Sequence, residues 1–247
     1  MIRPLQRLRA PKRPRLVLAA LILFLLLLLI FLPLRAALGW ANLGARGIGA
    51  REAGGLVWSG YINDLTVGET SLGSVGAGLR PLPLFIGQLR FHLDRDASIG
   101  RPAVDAELFS GLGRFGVSDA NLTVPASSLF GSLPLGEFTL QNVAISFVGN
   151  RCIHAEGTVR ATVNSVLPGL ELPGGMVGTL RCESAALLVP LASQTGLETL
   201  DIRIAGDGSY TTRLKLAGDR SSVAGALAAA GLTQTGDGFV LEGENRF

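Results

Sequence analysis

Few side chains in this sequence are capable of chemistry. There are two cysteines, Cys152 and Cys182, and two histidines, His92 and His154. His154 lies two residues from Cys152, close enough for a thiol–imidazole nucleophile pair. Two thiols with one nearby imidazole fall short of the four ligands of a tetrahedral zinc site, so no metal is expected. What remains for the cysteines is a Cys152–Cys182 disulfide or two buried free thiols. Asp94 and Asp96 would share a face if a strand ran through both. Arg95 between them, with Gly100 and Pro102 just beyond, favours a solvated loop. The run Gly111-Leu112-Gly113-Arg114-Phe115-Gly116 satisfies G-x-G-x-x-G. A dinucleotide site needs a helix to follow, whereas residues 117–124 read as a strand. Neither G-x-S-x-G nor H-E-x-x-H occurs. The expectation is a chain with no catalytic residues and no cofactor.

The fate of the cysteines depends on compartment, and residues 16–34 decide it. The run LVLAALILFLLLLLIFLPL has no charge and no hydrogen-bonding side chain. As a helix it would extend roughly 28 Å, close to the hydrocarbon thickness of a bilayer. Residues 1–15 carry Arg3, Arg7, Arg9, Lys12, Arg13 and Arg15 and no acid, which assigns them to the cytoplasmic side. The alternative is a cleaved signal peptide, with Ala37-Leu38-Gly39 as a weak cleavage site. A retained single-pass anchor is preferred because the apolar run is long. Either way, everything beyond Arg35 leaves the cytoplasm. In an oxidising compartment an even cysteine pair is expected to be bridged, which removes the nucleophile from the Cys–His pair.

Export also reorganises the charge. The chain has a net charge of +3, but seven of its 22 Lys plus Arg lie within residues 1–35, which hold no acid. Residues 36–247 carry 15 basic and 19 acidic side chains, net −4. The exported part therefore lacks the basic face that nucleic acid requires.

Four segments follow: a cytoplasmic basic terminus over 1–15, a transmembrane helix over 16–34, a membrane-proximal linker over 35–51 and an exported β-rich domain over 52–247. Trp40 suits either the membrane interface or the domain core. From Glu52 onward short apolar runs alternate with glycines. Residues 54–60 read as a strand between turns. Residues 80–87, with Pro81 and Pro83, suit an edge, a turn or a short helix start. Residues 88–93 alternate strictly, placing Leu89, Phe91 and Leu93 on one face. Residues 103–109 and 116–124 read as strands and 125–130 as a helical turn. Over 137–147 the alternation slips, so either a bulge near Asn142 keeps one apolar side or both faces are partly buried. Residues 154–163 and 176–182 read as antiparallel strands joined by the Pro- and Gly-rich stretch 167–175, with Cys152 just before the first and Cys182 at the end of the second. Gly206-Asp207-Gly208 should turn a hairpin, Ser221 or Ser222 should cap a helix ending near Gly231, and residues 239–242 should form a last strand. The fold class is mostly β: a mainly antiparallel sheet, curled or open-grooved, with one or two short helices behind a single N-terminal helix.

One ordered set of residues carries a resemblance. Gly55-Leu56-Val57-Trp58-Ser59-Gly60 precedes L-x-x-G at Leu65 to Gly68 and L-G-x-V at Leu72 to Val75. Then come Leu79, Arg80, Pro81, Leu82, Pro83 and Leu84, all behind an apolar helix. This order resembles the N-protein family of bacterial type II (general) secretion systems, most strongly over residues 54–93. The signature residues Trp58, Ser59, Gly60, Leu79, Arg80, Pro81, Leu82 and Pro83 are expected to be structural. Ala77-Gly78 departs from the bulkier residues expected there, which implies looser local packing. The resemblance implies a noncatalytic inner-membrane subunit that assists the apparatus exporting folded periplasmic proteins across the outer membrane. Its partners would be other secretion subunits, in the inner-membrane platform or the outer-membrane channel, with membrane lipid around the anchor. A lipid carrier with an open apolar β groove is the alternative.

Overall fold

The computed structural model describes residues 14–40, 48–67, 70–98, 102–125, 135–163 and 174–246. The basic terminus through residue 13, residues 126–130 of the helical turn expected over 125–130 and most of the 167–175 stretch lie outside the described residues.

The apolar run is not one continuous helix. Helix α1 (Pro14–Ile30) ends at Ile30, and Leu34 opens a second helix, α2 (Leu34–Trp40). Pro33 lies between them. It has no N–H to donate to a helix and restricts the residue before it, which accounts for the break. Leu34, expected inside a membrane span, is fully buried in the β domain. No helix among the described residues is long and apolar enough to cross a membrane. Every large apolar side chain from Leu16 to Phe31 is nevertheless exposed.

All strand pairings are antiparallel. The strands are β1 (Ile48–Gly49), β2 (Glu52–Leu56), β3 (Ser59–Val67), β4 (Thr70–Leu79), β5 (Gln88–Arg95), β6 (Val104–Gly111), β7 (Arg114–Pro125) and β8 (Leu135–Val148). They continue as β9 (Arg151–Val163), β10 (Met176–Thr179), β11 (Arg181–Glu183), β12 (Ala186–Ser193), β13 (Glu198–Ile204), β14 (Ser209–Ala217), β15 (Thr233–Thr235) and β16 (Gly238–Arg246). A single sheet runs β1-β3-β4-β5-β6-β7-β8-β9-β10-β12-β13-β14-β16-β15, with β2 beside β3 and β11 beside β12. It is nearly an uninterrupted meander, so successive connections alternate between its two ends. One end holds the turns at 57–58, 80–87, 112–113, 149–150, 184–185 and 205–208; this is the turn end. β4 and β7 touch although two strands separate them, so the sheet curls.

The period-2 patterns produce the strands they suggest. Leu89, Phe91 and Leu93 face the same side as Val104, Ala106 and Leu108, as the β5–β6 register requires. The bulge sits where the arithmetic demands it: β8 and β9 slip between Gln141 and Ala144, and Asn142 takes a φ of 50°. Phe138 and Leu140 before the slip, and Val143, Ile145 and Phe147 after it, thereby line one face. The hairpin over residues 206–208 forms as expected, and the last strand is longer than expected, reaching Arg246.

Two readings change. Residues 54–60 are a hairpin, with Leu56 paired to Ser59 across Val57 and Trp58, so the Trp-Ser-Gly signature starts in a turn. Ser221 enters a 3-10 turn (Ser221–Val223) before helix α4 (Ala224–Ala229), while a single helical turn over Pro81–Leu84 is α3. Neither serine caps the helix: the N-cap positions are Arg220 and Val223, neither with a side-chain cap bond, while the Asp219 carboxylate accepts the Ser221 N–H at 3.0 Å. Gly231 closes the segment at φ +88°, a conformation that favours glycine.

The core has two parts. The larger extends from β6 to β16 and includes Phe138, Met176, Leu191, Leu200, Ile202, Leu216 and Leu227. The smaller gathers Leu34, Val57, Ile62, Leu65, Val75, Ala77 and Val104 around the foot of the helices. Leu72, Leu93 and Leu122 touch both.

Candidate functional site

Two signature pieces about twenty residues apart in sequence meet at the turn end. Trp58, Ser59, Gly60, Leu79, Arg80 and Pro81 line one cavity of about 340 Å³ together with His92 and Asp94. Backbone pairing makes the junction: the Leu79 N–H donates to the Val57 carbonyl at 2.8 Å, and the Arg80 N–H to the Arg90 carbonyl at 2.8 Å.

Trp58 faces the apolar helix. Its indole N–H donates to the carbonyls of Leu29 and Ile30, both at 3.1 Å. These carbonyls belong to the last turn of α1, where a helix leaves acceptors without intrahelical partners. The Val57 N–H donates to the Leu32 carbonyl at 2.9 Å, and Pro33 bridges Leu56. The signature hairpin thus caps the helix end and grips the chain that leaves it.

The glycines here answer a spatial demand. A Cβ on Gly60 would lie 2.5 Å from the Gly54 carbonyl oxygen and 2.7 Å from a Leu34 methyl. One on Gly78 would lie 2.6 Å from the Trp58 carbonyl oxygen. Local packing at Ala77-Gly78 is therefore not loose, because the Trp58 backbone occupies the space a larger residue would take.

Arg80 is fastened from outside by Glu107, which sequence reasoning missed. The Glu107 carboxylate meets Arg80 Nε at 2.7 Å and Arg90 at 2.7 Å, and accepts the Ser118 hydroxyl at 2.9 Å. Burial by itself would raise the Glu107 pKa. The hydrogen bonds from Arg90 and Ser118, with the charges of Arg80 and Arg90, outweigh it and hold the carboxyl below its ordinary value. The available signal was alternation, which sets Glu107 opposite His92 and diagonal to Arg90 on the polar face. Pro33, the other missed residue, stood inside the apolar run as a visible helix breaker. Pro81 starts α3, and Leu82 projects from it 78% exposed.

The remaining chemistry-bearing residues do not converge here. Cys152 and Cys182 form a disulfide with Cα atoms 5.5 Å apart. Cys152 lies within β9 rather than just before it, and Cys182 lies in β11, a strand separate from β10, so the bond ties β11 to a strand it does not pair with. The thiol is thus consumed, and His154 lies 3.5 Å from Glu156 instead. His92 sits between Asp94 and Asp105 at 3.7 and 3.8 Å, beyond hydrogen-bond reach. Asp96 follows the end of β5. Gly111 to Gly113 turn β6 into β7, so the G-x-G-x-x-G run opens a strand. Among the described residues no group of His, Cys, Asp or Glu is placed to hold a metal ion. Trp40 is 77% exposed, so it is not a core residue.

Fold and site define a class: a curled antiparallel β protein whose signature residues clamp the end of an exposed apolar helix. Residues 46–241 match the family model described as type II secretion system (T2SS), protein N, and the chain belongs to that family. No curated protein and no solved structure matches the chain.

Proposed function

We propose that this chain is a noncatalytic type II secretion subunit held in the bacterial inner membrane by its N-terminal apolar segment. Its N-terminus lies in the cytoplasm and its β domain in the periplasm. There it assists the assembly or function of the apparatus that exports folded proteins across the outer membrane. The observation that carries this reading is the attachment of the exposed apolar α1 to the family domain through Trp58. A helix with apolar side chains all round is a membrane or core helix, and the described residues provide no core for it. Contacts with platform or channel subunits would use the sheet edge. From Leu241 to Arg246, β16 runs past the end of β15, and among the described residues no strand covers its outer side. An extended segment of a partner can add there by backbone pairing.

The second reading, a lipid carrier, has one observation in its favour. On the apolar face of the sheet Leu89, Leu108 and Phe115 remain 39–52% exposed, and Phe115 stacks on Phe147 at 5.5 Å. The deciding experiment is in-vivo crosslinking of the full-length protein, pull-down from membranes and mass spectrometry of both proteins and lipids. Recovery of other secretion subunits without enriched lipid is the expected result. Stoichiometric phospholipid or glycolipid without those subunits would overturn it in favour of the carrier.

A further inference from the structure

The turn end of the sheet carries a feature that neither family membership nor the anchor explains. Among the described residues, the most exposed large apolar side chains of the β domain lie at the turn end. Leu82 is 78% exposed, Phe85 87% and Ile86 63%, all on the β4–β5 connection, and Leu112 is 72% exposed in the β6–β7 turn. These connections are neighbours: Leu112 lies 3.8 Å from where a Cβ on Gly87 would sit. At the opposite end, the described connections carry Leu197, 48% exposed.

Among the described residues nothing covers this apolar rim, and two features indicate its occupant. Helix α1 leaves the domain at this same end, because Trp58, which caps it, shares a cavity with Pro81 at the start of α3. Whatever solvent receives α1 therefore lies next to Leu82 and Phe85. The rim is also basic. Arg114 and Arg151 are both exposed and flank Val148 in the β7–β8–β9 register. At this end Glu107 is engaged by Arg80 and Arg90, Glu183 by Arg181 and Arg203, and Asp207 by Arg246. Bulky apolar side chains beside arginines match the boundary between acyl chains and anionic headgroups.

We infer that the turn end of the sheet docks on the bilayer surface, with Leu82, Phe85, Ile86 and Leu112 inserted at the headgroup boundary and Arg114 and Arg151 on anionic phospholipid. The inference rests on the membrane reading of α1 proposed above and extends it. The domain does not swing on a tether but stands on its turns, with its strands rising from the membrane.

The test uses the full-length chain in vesicles of neutral and anionic phospholipid at about seven to three. Single spin labels are placed through Ile86→Cys, Leu112→Cys and, as the far-end control, Leu197→Cys; the native cysteines stay bridged. Labels at 86 and 112 should collide with dissolved oxygen far more than with a water-soluble nickel chelate, and the label at 197 should do the reverse. An arginine near an anionic surface biases binding by about five-fold, so Arg114→Gln with Arg151→Gln should lower the docked-to-undocked ratio about 25-fold. Aqueous behaviour at 86 and 112 in a chain that resists carbonate extraction would overturn docking and leave the anchor standing. Low collision with both reagents would mean that a second copy covers the rim, and lipid would be the wrong occupant. Extraction by carbonate would overturn the anchor and the docking together.

Discussion

The strongest test of the signature site is to remove the indole N–H of Trp58 while keeping an aromatic ring. Trp58→Phe deletes the bonds to the Leu29 and Ile30 carbonyls. A net hydrogen bond is worth about 0.5–1.5 kcal/mol, so the loss should be about 1 kcal/mol. Trp58→Ala also removes a half-buried ring from the smaller core, where truncation of a large aromatic costs about 3 kcal/mol. Both losses are local, because the larger core between β6 and β16 does not include Trp58. Hydrogen exchange on the full-length chain in lipid nanodiscs reads them directly. If local opening governs exchange, amides of residues 31–37 and 57–60 should exchange about five-fold faster in Trp58→Phe. In Trp58→Ala the factor should be about 150. Amides of β12 to β14 should be unchanged. Equal acceleration across the whole sheet, or none at residues 31–37, would refute the claim that Trp58 clamps the helix end.

Three further outcomes follow from the geometry. Breaking the Cys152–Cys182 bond by Cys152→Ser with Cys182→Ser opens a loop of sequence separation 30 and should lower unfolding stability by about 3–4 kcal/mol, measured by urea titration with the single transition retained. Glu107 has a folded-state pKa below its unfolded value, so the stability it contributes is full above the ordinary carboxylate range and fades as pH falls through the lowered folded value. The stability–pH profile of Glu107→Gln should therefore converge on that of the native chain at low pH and fall below it at neutral pH by about 1–2 kcal/mol, the worth of a partly buried charged hydrogen bond. Gly60→Ala must displace both the Gly54 carbonyl and Leu34, at a cost of about 1–3 kcal/mol, and should release α2 to faster exchange without altering β12 to β14.

Most of the sheet could be read from the chain because its causes are local. A strand with one buried face writes its period into consecutive residues, so Leu89, Phe91 and Leu93 disclose β5 without any partner. The same logic located the bulge at Asn142, since only an extra residue keeps Phe138 and Phe147 on one side. Gly206-Asp207-Gly208 announced a hairpin through its backbone preferences. The ordered signature around Trp58 and Arg80 also pointed to the family before any fold was seen.

Tertiary structure decided what depends on residues far apart. That Trp58 sits in a turn, and not a strand, follows from the need to aim its indole at carbonyls almost thirty positions earlier. Ser59-Gly60 and Leu79-Arg80 form one site only because two hairpins of the meander end side by side. Glu107 reads as an ordinary polar-face residue until Arg80 arrives from another connection and makes it a fastening point. Leu34 belongs to the apolar run by composition, yet the break at Pro33 hands it to the β core, because a buried contact with Val57 and Val75 is open to it there. The apolar rim is the clearest case. Leu82, Phe85 and Leu112 are scattered loop residues in sequence, and only alternation of the turns between two sheet ends gathers them beside the foot of α1.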